Sequence, residues 1–167
     1  MLSITAEDDR PARADDALVD SVLGASRALV AVAARSLATV AEDVTLAQYR
    51  ALVEIASRGP LRPADLAEAL RVDRSTATRM CDRLLRKRLV TRRRIVEDRR
   101  GVRISLTAAG RDLVSVVTRR RLEEIGRIVE RMPAASRQRV AEALHAFADA
   151  AGGVPEQDWS LGWDLEA

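Results

Sequence analysis

Four aromatic residues, one cysteine and one histidine among 167 residues remove several kinds of protein at once. A lone Cys81 cannot close an internal disulfide, and with His145 as the only imidazole a structural zinc site lacks ligands. There is no glycine-rich phosphate loop, no zinc-protease motif and no nucleophile–base pair, so neither an enzyme nor a cofactor is expected. The acid pair Glu97 and Asp98 has no partner site. Aromatics make up 2% of the chain against 47% hydrophobic residues, so the core must be built from Ala, Leu, Val and Ile. That composition suits helix packing and predicts a mainly α protein. The opening MLSITAEDDRPARADD has no apolar signal region, and no apolar run is read as long enough to span a membrane. The expectation is a cytoplasmic protein with no membrane partner.

What is abundant is positive charge, in one place. Between Arg71 and Arg103 stand thirteen basic and four acidic residues, a net +9 in a chain whose total is +3, so the remainder carries −6. A basic block inside an acidic chain points to a polyanion, most simply nucleic acid. The bulky apolar anchors that a membrane-surface helix needs are missing beside it.

The spacing of apolar residues divides the chain. Residues 1–16 read as a charged N-terminal arm. In 17–44 a long amphipathic helix, from Ala17 to about Ala41, carries Leu18, Val22, Leu29, Ala33, Leu37 and Val40. The lobe 45–107 opens with a helix capped by Thr45 and closed by Gly59-Pro60, its apolar positions being Leu46, Tyr49, Leu52, Val53 and Ile55. A short helix with Pro63 in its first turn buries Leu66, Ala67 and Leu70. After a turn at Val72, a third helix from Asp73 turns inward Ala77, Met80 or Cys81, and Leu84. These two helices form a helix-turn-helix, and LVTRRRIVEDRRGVRISLT reads as a hairpin, the wing of a winged helix-turn-helix. Residues 108–151 hold two more helices, broken at Pro133. The first is capped by Thr107, with Leu113, Val116, Val117, Leu122, Ile125, Ile128 and Val129 on its apolar side. The second shows Val140, Leu144, Phe147 and Ala148. The tail 152–167 has no clear period. Apolar stripes on the first and last helices are wider than one lobe can cover, which predicts a homodimer.

The helix from Asp73 carries Ser75, Thr76, Thr78 and Arg79 on the turn that a reading helix offers to base edges. Arg83, Arg86 and Lys87 are placed to meet phosphates. Arg99 and Arg100, at the hairpin tip, suit a narrow minor groove, with Asp98 orienting them and Gly101 letting the turn close; Arg103 follows on the second strand. The bland alternatives are a solvated helix face and an ordinary charged turn.

The run STATRMCDRLLRKRLVTRRRIVEDRRGVRISLTAAG resembles the multiple antibiotic resistance regulator (MarR) family of bacterial transcription factors. Asp98-x-Arg100-Gly101 and the closing Leu106-Thr107-x-x-Gly110 carry the likeness. The resemblance implies long N- and C-terminal dimerisation helices and two lobes on double-stranded DNA at a palindromic operator. It also implies repression released by a small-molecule effector, aromatic or phenolic, or by an oxidant. By motif position Arg100 is the wing-tip probe. Where the family has glycine at the exit of the reading helix this chain has Arg88, which must take a left-handed cap or end the helix differently.

Cys81 admits a redox-sensor reading, but its helix position favours a buried small hydrophobe. His145 reads as a surface or interface residue. Tyr49 borders the region where the family binds aromatic acids, against a simpler role in the core. The second functional class to hold open is a non-specific architectural or protein-interaction module of the same fold.

Overall fold

A computed structural model describes residues 14–94 and 101–152. Its elements run α1 (Ala14–Ala38), α2 (Leu46–Arg58), α3 (Pro63–Leu70), α4 (Arg74–Arg86), β1 (Val90–Arg94), β2 (Val102–Leu106), α5 (Ala108–Glu130) and α6 (Ala134–Ala150). The mainly helical fold with a two-stranded hairpin is the architecture the composition calls for.

Local chemistry sets the helix ends. Thr45 accepts from the Gln48 amide at 3.2 Å while the Gln48 side chain accepts from the Thr45 amide at 3.3 Å, a reciprocal capping box. Pro63 opens α3, where the Asp65 carboxylate accepts from the Arg62 amide and guanidinium. Both helices of the helix-turn-helix end in the same way. Arg71 (φ 55°) follows α3 and Arg88 (φ 58°) follows α4, both left-handed. The next amides, Val72 and Leu89, reach back to the carbonyls of Ala67 and Leu84 at 3.0 and 3.1 Å, closing Schellman turns. Arg88 therefore takes the left-handed backbone form that glycine adopts most readily.

The core joins α2, α3, α4, β2 and α5 around the fully buried Leu52, Leu66, Leu84, Ile104, Val114 and Val117. The hairpin is antiparallel, with Val90 opposite Leu106, Arg92 opposite Ile104 and Arg93 opposite Arg103. Leu61 adds an antiparallel bridge to Ile104 through hydrogen bonds of 2.8 and 3.1 Å, tying the sheet to the α2–α3 connection. No sequence period announces a one-residue strand.

Several expectations shift. Helix α1 starts before Ala17 and ends at Ala38, after which Val40 and Ala41 fold back on the Leu37 carbonyl. Within its segment Asp16–Ala38 an 18-residue window has a mean hydropathy of 1.6, so the helix is long and apolar enough to cross a membrane by length and composition; the sequence reading that no run approaches a span is corrected. Of its large apolar side chains Val32 and Leu37 are buried, while Leu18, Val19, Leu23, Leu29 and Val30 stand exposed. On α5, Val114 is buried though the expected stripe omitted it, while Leu122 and Val129 stand exposed. The first half of α5 packs on the lobe and the second half leaves it. On α6 no residue is buried, and Val140, Leu144 and Phe147 face outward.

Candidate nucleic-acid interface

Helix α4 is two-faced. Ala77, Cys81 and Leu84 are buried, which resolves the Met80 or Cys81 alternative in favour of Cys81, with Met80 half-buried. The opposite face exposes Ser75, Thr78, Arg79, Arg83 and Arg86 to solvent. Thr78 donates to the Arg74 carbonyl at 2.8 Å, so its methyl group is left outermost. Half-buried Thr76 accepts from the Arg79 guanidinium at 3.3 Å. Thr76, Arg79 and Arg83 line one wall of a cleft of about 400 Å³, and the opposite wall is the start of α2 at Thr45 and Ala47. The first turn of α2 thus lies beside the guanidinium-bearing face of α4.

Lys87, which the sequence offers to a phosphate, has its ammonium donating to the Asp43 carbonyl at 2.7 Å and paired with the Asp43 carboxylate. That hydrogen bond, more than the charge, holds the Asp43 carboxyl below its usual range.

The hairpin adds a second cationic face. Val90, Val102, Ile104 and Leu106 lie on the side with Arg92, whose guanidinium approaches Asp82 at 4.0 Å. The other side carries Thr91, Arg93, Arg103 and Ser105, and exposed Arg93 and Arg103 sit directly opposite one another. Like charges in that position destabilise a hairpin. Asp65 offsets part of this: its carboxyl is held low first by hydrogen bonds from Arg62 and, least, by the field of Arg103. Arg93 was not singled out from the sequence, because its opposition to Arg103 exists only once the register is known. Arg93→Thr is expected to leave stability equal or raise it by up to about 0.5 kcal/mol. It should also lower affinity for DNA and flatten the salt dependence by about one counterion. Denaturation and salt-dependent titration check the two signs separately.

Gly101 is buried at the return of the hairpin. Asp98, Arg99 and Arg100 lie outside the described residues.

Tyr49 is 3% exposed and its hydroxyl meets Thr118 Oγ1 at 3.1 Å. Thr118 spends its own proton on the Val114 carbonyl, so tyrosine is the donor and both hydroxyls are satisfied. His145 is exposed on α6. Cys81 is fully buried, and burial pushes its thiol above the usual range, which disfavours the thiolate that oxidants attack. Cys81→Ser is expected to cost about 1–3 kcal/mol by leaving a hydroxyl in an apolar site. Mild peroxide should leave DNA binding unchanged in both forms. Loss of binding in the wild type alone would restore the redox reading. Among the described residues no group of three or more His, Cys, Asp or Glu could hold a metal ion.

A helix pair joined by a tight turn and a hairpin after the second helix, each bearing exposed arginines, define a winged helix-turn-helix. The MarR family model matches residues 44–102, from the loop before α2 to the return of the hairpin. The multiple antibiotic resistance protein MarR of Escherichia coli is 40% identical over 68 residues, 41% of this chain and 47% of that protein. The transcriptional repressor MdtR of Bacillus subtilis is 38% identical over 69 residues, 41% and 44% of the two. The chain thus matches about half the length of these curated relatives. The crystal structure of RV1404 from Mycobacterium tuberculosis is similar over far more: 41% identity, 90% of this chain and 99% of that one, with a TM-score of 0.80. This chain belongs to the MarR family, whose members are transcription regulators and not enzymes.

Proposed function

We propose that the protein is a cytoplasmic homodimer that binds double-stranded DNA at a palindromic operator and represses transcription. The observation that carries this reading is the exposed face of α4, with Ser75, Thr78, Arg79, Arg83 and Arg86, set beside a hairpin that opposes Arg93 to Arg103. Arg79 and the neighbouring hydroxyls read base edges in the major groove; Arg83 and Arg86 meet phosphates. Arg100, helped by Arg99, enters the adjacent minor groove. The second copy is supported by the apolar side chains that α1, the end of α5 and α6 leave uncovered. It places two reading helices one turn of DNA apart. Repression is favoured by the name of the relative MdtR. Release by an aromatic acid rests on the family resemblance; the Tyr49 hydroxyl is already engaged by Thr118.

Selection of bound sequences from a random DNA pool tests the roles. Arg79→Ala is expected to cost about 1–3 kcal/mol and relax preference at one position in each half-site. Arg86→Ala should weaken all sequences alike and reduce the salt slope by about one. Arg100→Ala should relax the flanking A·T-rich positions. Identical profiles for all three variants would contradict the assignment.

A further inference from the structure

The loop between α1 and α2 is held from three directions. Its ends are anchored in the core by Leu37 and Val44, at 3% and 6% exposure. From α5, Arg120 donates to the Thr39 carbonyl at 3.4 Å. From the exit of α4, Lys87 reaches Asp43 with two hydrogen bonds, one to the backbone and one to the carboxylate. Val40, Ala41 and Val44 close turns within the loop, so it has little freedom to absorb a displacement of either neighbour.

We infer that Lys87 and Asp43 are positioning residues that fix the reading helix α4 relative to the apolar helix α1, and that neither contacts DNA. The inference rests on the regulator reading above. The Lys87 side chain is 23% exposed and lies along the loop; Asp43 is 73% exposed, so the pair sits at the surface with its lysine stem covered. Such an exposed pair adds little to stability by itself. Its effect is geometric. In a dimer built on α1, the separation and tilt of the two α4 helices depend on how each lobe is joined to α1, and a palindrome tolerates little error in that spacing. With Lys87 turned to Asp43, the exposed cations of α4 are Arg74, Arg79, Arg83 and Arg86.

The test compares Lys87→Met, Asp43→Ala and the double variant in the full chain, titrated with a selected operator and with bulk DNA over a range of salt. Lys87→Met removes both hydrogen bonds and should weaken operator binding about tenfold. Asp43→Ala leaves the backbone acceptor and should weaken it about threefold. The double variant should be no worse than Lys87→Met, because the two residues act as one unit. Bulk-DNA affinity and the salt slope should stay at wild-type values in all three.

A slope that falls by about one in Lys87→Met, or an affinity that rises on all DNA in Asp43→Ala, would make Lys87 a phosphate contact that Asp43 restrains, and overturn the inference. A lowered thermal midpoint with an unchanged operator-to-bulk ratio would overturn it in favour of a purely structural brace. A wild-type protein with no operator preference would sink the regulator reading itself, and this inference with it.

Discussion

Gly110→Ala is expected to destabilise the protein by about 3 kcal/mol or more, against the usual sign for glycine in a helix. Helix propensity alone would make alanine better by up to about 1 kcal/mol. The structure reverses this. A Cβ on Gly110 would lie 2.1 Å from the Leu89 carbonyl oxygen and 3.1 Å from its carbon, and the obstacle is backbone that no rotamer change can move. Leu89 cannot retreat. Its carbonyl accepts from the Thr107 amide at 3.1 Å, its own amide closes the Schellman turn after α4, and Thr107 Oγ1 spans the Gly110 amide and the Arg88 carbonyl at 3.0 and 2.8 Å. Alanine must pry the start of α5 from the base of the hairpin, so the wing should lose its angle as well. Denaturant unfolding of the full chain checks the magnitude. An alanine variant within about 0.5 kcal/mol of wild type would contradict the close approach.

The second large effect concerns assembly. Leu144 and Phe147 are half exposed on α6, a helix with no buried residue, and they contribute little to the lobe. The double variant Leu144→Asp, Phe147→Asp should therefore fold and yet be a monomer by light scattering, because two carboxylates per protomer cannot be buried between copies. One lobe then meets one half-site at a time, and operator affinity should fall by about 10²- to 10⁴-fold while bulk-DNA binding changes far less. Wild-type protein that is monomeric at micromolar concentration would remove the dimer, and with it the geometric reason for a palindrome.

Features set by local chemistry could be read from the sequence. The caps at Thr45 and Thr107, Pro63 opening α3, and the buried trio of α3 follow from side chains within a few positions of one another. The buried face of α4 was legible at Ala77 and Leu84 because a helical period separates them from the arginines, whereas the choice between Met80 and Cys81 came from the packing. What was hidden depends on partners distant in sequence. Lys87 looks like its neighbour Arg86 until Asp43, forty-four residues earlier, is brought beside it. Arg93 gains meaning only from the register that sets it against Arg103. Val114 is buried because the lobe lies under that part of α5, a position the helical period alone does not specify. Gly110 entered as one letter of a family motif, and its physical reason, the Leu89 carbonyl, comes from the packing.

The measurement that bears most directly on the central claim is a titration of the purified wild-type protein against a site drawn from a random DNA pool and against bulk DNA, at one stated salt concentration. The account expects one dimer per site, a site of two inverted half-sites about 10 bp apart, and a preference for it of at least about 10³-fold. Equal affinity for the selected site and bulk DNA, with no inverted repeat recovered from the pool, would contradict it and leave an architectural DNA-binding module in its place.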